Sequence, residues 1–219
     1  MTRHFLRSLL AVFLLLTACT PTPSLETLYA PLREAHTWSY HVKREGLGAT
    51  YEDRITLETK PQADGSSLLN VHLLPNAKDP NVGARHTYRL DFSSLPPKLI
   101  ALKTEAGRGT FEPGLPFPNF LESKGAGAAR YASGRGQFAG REFQVNWHYA
   151  PIAADTAQTP LGAIPTVRTD LELRSSYHLT DCNLRLEFAP KYGLVRAEWA
   201  TIYGTRTVFT LESFDVQAK

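Results

Sequence analysis

Long apolar runs, cysteine and blocks of like charge are all scarce in this 219-residue sequence. The apolar run that stands out, LLAVFLLL at 9–16, has eight residues, where about 20 are needed to cross a bilayer as a helix. Only two cysteines occur, Cys19 and Cys182, too few for the disulfide framework of a small secreted scaffold. No run of five like charges appears, and basic and acidic residues alternate, so nothing suggests a nucleic-acid partner. Recognisable chemistry is missing too. No His-x-x-x-His pair and no carboxylate cluster falls at metal spacing. The histidines at 36, 41, 72, 86, 148 and 178 are scattered. His178 and Cys182 would stand about 13 Å apart on a strand, too far for one ion. Ser133 in YASGRGQ lacks the first glycine of a nucleophile elbow. GAGAAR (125–130) has Arg130 where a dinucleotide fingerprint needs a small residue. No catalytic residue, metal or cofactor is expected, and the chain does not read as an enzyme.

What is present begins with a short leader. Arg3 and Arg7 form a positive n-region ahead of the eight-residue apolar run, the order of a secretory signal. The run ends in Leu16-Thr17-Ala18-Cys19, which resembles the lipobox of bacterial lipoproteins. The resemblance implies cleavage before Cys19 and a diacylglyceryl group on its sulfur. Thr20, rather than Asp, follows the cysteine, which implies the outer membrane where a cell has two. Several acyl chains, at about 0.8 kcal/mol per buried CH₂, hold a protein stably where one would not. Once Arg3 and Arg7 leave with the leader, 24 basic and 21 acidic residues become 22 and 21, a net charge of +1. Cys182 then has no partner within the chain. Its surroundings in HLTDCNLRL lack the cations that activate a thiol, so a buried, inert residue is expected.

The remaining chain divides into a tether at 19–24, with alternating Pro21 and Pro23, and a single β-rich domain at 25–219. Ser24 is placed to cap a short helix in which Leu25, Leu28, Tyr29 and Leu32 share a face. Pro31 should break or kink it. From Thr37 the period becomes two: Trp38, Tyr40 and Val42; Tyr51, Ile55 and Leu57; Leu69, Val71 and Leu73; Tyr88, Leu90 and Phe92; then Leu99 to Leu102. Strand character returns at REFQVNWHYA, IPTVRTDLELR, NLRLEF, GLVRAEW and TVFTLESF, with YGTR (203–206) as a hairpin turn. Residues 104–140 hold eight of the fifteen glycines and read as a Gly/Pro-rich crossing segment or lid. The expected fold is mainly β: a curved antiparallel sheet, half-barrel or sandwich of about 9–11 strands with one N-terminal helix.

Three stretches, TWSYHVK (37–43), TPLGAIPTV (159–167) and EFAPKYGLVRAEW (187–199), resemble motifs of bacterial envelope lipoproteins, most without an assigned activity. That class is loosely similar to the half-barrel carrier and receptor proteins of outer-membrane lipoprotein sorting. The resemblance implies a curved sheet with a helical lid, and Gly162 and Gly193 fit its turns because glycine takes positive φ without cost. An apolar ligand, most naturally a lipid, would then lie against Trp38, Tyr40, Trp147, Tyr149 and Trp199, unless these aromatics form the core. The alternatives are a structural or partner-docking role in the envelope and, weakest, an enzyme with a scattered site.

Overall fold

The computed structural model describes residues 23–46, 48–73, 85–104, 107–116, 130–138, 140–149, 153–175 and 181–216. Cys19 and most of the tether lie outside them. Among the described residues, one helix, α1 (Leu25–Arg33), precedes thirteen strands. These are β1 (His36–Gly46), β2 (Ala49–Pro61), β3 (Ser66–Leu73), β4 (Arg85–Asp91), β5 (Lys98–Thr104), β6 (Gly107–Pro116), β7 (Arg130–Phe138), β8 (Arg141–Tyr149), β9 (Ala153–Thr159), β10 (Gly162–Ser175), β11 (Cys182–Ala189), β12 (Gly193–Thr201) and β13 (Arg206–Val216).

Every ladder is antiparallel, and the strands form one curved sheet in the order β11-β12-β13-β1-β2-β3-β4-β5-β6-β7-β8-β10-β9. The sheet comes round to meet its own first strand at β10. One edge of β10 bonds β9 along 162–168 and β8 along 171–175, while the other bonds β11 along 167–173. Alternate strands run in opposite directions, so their turns gather at two ends. The turns β1–β2 and β12–β13 lie at one end, the rim. The turns β2–β3, β4–β5, β9–β10 and β11–β12 lie at the other, the base.

The helix follows from local chemistry. The Ser24 hydroxyl accepts a hydrogen bond from the Thr27 amide at 3.2 Å, meeting one of the donors that a helix start leaves open. Pro31 lies within α1, and the expected break does not occur. So near the helix end a proline removes a single backbone bond, and its ring is held against Gly193, where an added Cβ would stand 3.4 Å from the Pro31 Cβ. Contacts at the base ends of strands seat α1. Tyr29 meets Phe188 edge-on at 5.8 Å, Arg33 lies over the Phe92 ring, and the Glu34 carbonyl accepts from the Thr59 hydroxyl. The helix is therefore the cap of the base.

Its buried Leu28, Tyr29 and Leu32 complete a core with the inward residues of the sheet, among them Trp38, Tyr40, Val42, Ile55, Leu57, Phe188 and Leu211. Trp38 and Tyr40 are each 1 % exposed. Burying side chains of this size stabilises the fold by roughly 5 kcal/mol each as an upper bound. The Trp38 indole donates to the Tyr192 carbonyl at 2.7 Å and the Tyr40 hydroxyl to the Leu194 carbonyl at 2.8 Å, so neither buries an unmet donor.

The stretch expected as a crossing segment supplies two strands instead, β6 and β7, which brings the count above the anticipated 9–11. Glycine hides their period. Gly109 pairs with Phe138, and Gly134 and Gly136 pair with Val145 and Phe143. Alternate positions that would normally carry Val or Ile carry no side chain there, and a composition that reads as loop forms a ladder. Its residues 117–129 lie outside the described part.

Candidate functional site

Of the sequence-predicted aromatics, Trp38, Tyr40 and Trp199 lie on the inner face of the sheet but at different levels. Trp38 and Tyr40 belong to the packed, helix-covered half. Nearer the rim, one register row crosses seven strands: Tyr149, Leu171, Leu184, Trp199, Thr207, Arg44 and Tyr51 stand side by side. Trp147 pairs with Leu173 one row closer to the rim. The side chains of Trp147 and Tyr149 fall outside the described part. Trp199 differs from Trp38 and Tyr40 in being 43 % exposed.

That exposure is shared by three other residues at the same end. Tyr51, Trp199, Ile202 and Tyr203 are all exposed large hydrophobic residues, and all sit at the rim. Their two hairpins are neighbours through the β1–β13 ladder, and a Cβ added at Gly46 would come within 2.9 Å of the Thr205 methyl group. Sequence reasoning placed Trp199 but missed Ile202 and Tyr203. A usable signal was there: a turn closed by Gly204, at φ +81°, carries Ile and Tyr where Asn, Asp, Ser or a second Gly is the norm. Lone exposed hydrophobic residues need no explanation, whereas several together on adjacent hairpins form a surface.

The outer face is of opposite character. Arg168 pairs with Asp155 at 2.8 Å, Arg185 with Asp170, Arg196 with Glu187 and Arg206 with Glu198 each at 2.7 Å, and Lys43 with Glu45 at 2.6 Å. These strands do not face lipid, because a lipid-facing exterior would carry apolar residues at such positions. Among the described residues, no helix is long and apolar enough to cross a membrane.

A groove of about 280 Å³ opens on this outer face, lined by His148, Asp170, Glu172, Asn183, Arg185 and Glu198 along with Leu171, Leu184 and Ala200. Its charged groups are committed to one another. The Arg206 hydrogen bond to Glu198, aided by the nearby Arg196, holds that carboxyl below the usual carboxylate range. The Asp170 hydrogen bond pushes the Arg185 guanidinium further up. Glu172 accepts from Arg174 and lies 3.7 Å from His148. General acid–base chemistry wants a group poised near neutral pH, and the shifts of Glu198 and Arg185 both run away from it. Among the described residues no set of three His, Cys, Asp or Glu side chains could hold a metal ion.

Cys182 is buried, and desolvation pushes its thiol up to about 12, as expected of an inert residue. The turn glycines behave as anticipated, with φ +103° at Gly162 and +67° at Gly193.

No known family and no curated protein matches the sequence. Two solved structures are similar in outline. One, from Bacteroides fragilis, is described as exported and as having a YMCC-like fold; it is 12% identical, covers 83% of this chain and 96% of its own, and has a TM-score of 0.49. The other, from Parabacteroides distasonis, is described as a lipoprotein; it is 11% identical, covers 83% and 95%, and has a TM-score of 0.38. Likeness this distant carries nothing about what the present chain does.

Proposed function

We propose that this chain is an exported lipoprotein, held to the outer membrane or its equivalent through a lipid on Cys19, that acts without catalysis as a docking module for another envelope protein. The leader, the short apolar run and the lipobox-like Leu16-Thr17-Ala18-Cys19 support the anchor. The observation that carries docking is the rim surface of Tyr51, Trp199, Ile202 and Tyr203, exposed at the end opposite the helix cap. Aromatic residues dominate protein interfaces because they bury much area at little entropic cost. The paired charges of the outer groove favour a static surface over a catalytic one.

The anchor is tested by the mass of the peptide containing Cys19, which should carry a diacylglyceryl group, and by Cys19→Ser, which should release the protein from membranes. Docking is tested with a photo-crosslinking residue at Ile202 in intact cells. One defined adduct is expected, lost with Trp199→Ser and absent when the crosslinker replaces outward-facing Thr210. Equal adducts at 202 and 210, or none at 202, would remove the reading.

Binding of an apolar ligand, such as a lipid, on the inner face is a second reading, favoured by Trp199 being open to solvent on that face. It has lost Trp38 and Tyr40, which are buried in the core. An organic extract of the purified protein tests it: stoichiometric lipid, diminished by Trp199→Ala, would make it primary.

A further inference from the structure

We infer that the helix-capped base is the surface that rests on the anchoring bilayer, with Leu95 and Leu161 meeting the headgroup region and the aromatic rim held clear of it. The inference depends on the lipid at Cys19 proposed above. Chain reach is its first support. Only five residue steps separate Cys19 from Ser24, and five extended residues span at most about 17 Å. Ser24 caps α1, whose contacts with Phe188, Phe92, Thr59 and Gly193 all lie at the base ends of their strands. The lipid therefore holds the base, and no other end, within a headgroup layer's distance of the membrane.

The second support is what the base presents. Among the described residues, the exposed large hydrophobic residues away from the rim are Leu95 and Leu161. Leu95 lies between β4 and β5 and Leu161 between β9 and β10, both base turns. Two leucines on separate turns of one end suit shallow insertion beside an anchor that already supplies most of the affinity. The rim stands one strand length away. The ten residues from His36 to Glu45, tilted as strands of a curved sheet are, rise roughly 25 Å. Tyr51, Trp199, Ile202 and Tyr203 are then out of reach of the bilayer that holds the anchor, and their partner approaches from the far side.

The test uses the full lipidated protein in vesicles of phosphatidylethanolamine and phosphatidylglycerol containing a spin-labelled quencher lipid. A maleimide fluorophore is placed by Leu161→Cys or by Ile202→Cys; the Cys19 sulfur is blocked by its lipid and Cys182 is buried. The probe at 161 should be quenched several-fold more than the probe at 202, and Leu95→Cys should repeat the result if the 161 variant folds poorly. Equal quenching, or stronger quenching at 202, in a vesicle-bound protein would overturn the orientation while leaving the anchor intact. A protein that lacks the diacylglyceryl mass and stays off the vesicles would overturn the anchor and the orientation with it.

Discussion

Replacing Tyr40 with Phe tests whether the core is held by specific polar ties as well as by area. The ring would stay, buried in the core that it shares with Leu28, Tyr29 and Leu211, and one donor would go. In the native chain that donor reaches the Leu194 carbonyl at 2.8 Å. Leu194 sits at an irregularity of the β11–β12 ladder, where Glu187 pairs with Arg196 but Phe188 pairs with Leu194, leaving Val195 as the extra residue. A bulge of this kind takes a carbonyl out of regular pairing and makes a side-chain donor valuable. Tyr40 is 1 % exposed, so water does not take over. The loss combines a net hydrogen bond of about 1 kcal/mol with part of the 1–3 kcal/mol cost of an unmet buried acceptor, about 2 kcal/mol in all. For a domain of this size that lowers the thermal midpoint by about 4–8 °C and the urea midpoint by about 1 M with unchanged slope. Circular dichroism on the unlipidated chain from Thr20 measures both, with exposed Tyr203→Phe as the control. A Tyr40→Phe midpoint within about 0.2 M of the parent would refute the reasoning.

Three further outcomes are expected. Burial pushes the phenols of Tyr40 and Tyr88 up, and the Cys182 thiol to about 12. The unfolded chain therefore gives up these protons first, and stability present below about pH 9–10 falls as pH rises, by about 1.4 kcal/mol per unit for each group. Phenolate absorbance from both tyrosines should appear together with the loss of circular dichroism, and a gradual rise before unfolding would contradict their burial. At pH 8 Cys182 should react with a thiol reagent only on unfolding. Gly193→Ala should cost about 1–2 kcal/mol, because φ is +67° while the new Cβ would only touch Pro31; calorimetry should show no such loss for a substitution at an exposed residue of negative φ. Glu187→Gln should cost about 2–3 kcal/mol, less than a fully buried pair loses, because Arg196 keeps Glu198 at 3.2 Å. Denaturant titration of the variant checks this, and an unchanged midpoint would show that the pair contributes nothing net.

Much of the fold was legible because its signals are local. Ser24 and the spacing of Leu28, Tyr29 and Leu32 announced the helix, and strict alternation from Trp38 onward announced a sheet with one buried face. Gly162 and Gly193 marked turns that need positive φ. The strands β6 and β7 were not legible, since alternation cannot be seen where the inward residue is glycine. The site was legible only in part, for the same physical reason at a larger scale. Trp38, Tyr40 and Trp199 share a face and a pattern, and sequence alone treats them alike. What separates them is distance from the cap: α1 covers the base half of that face and leaves the rim half open, so identical alternation yields core at one end and exposed surface at the other. The outer ion-pair network was likewise invisible as a network, because Arg185 meets Asp170 and Arg206 meets Glu198 only after the ladders set their register. The sequence by itself determined strand, helix, turn and a candidate anchor, all properties of neighbouring residues. Which aromatic is core, which end is capped and which residues stay exposed were decided by the curving of the sheet around one short helix, a long-range arrangement that no local pattern encodes.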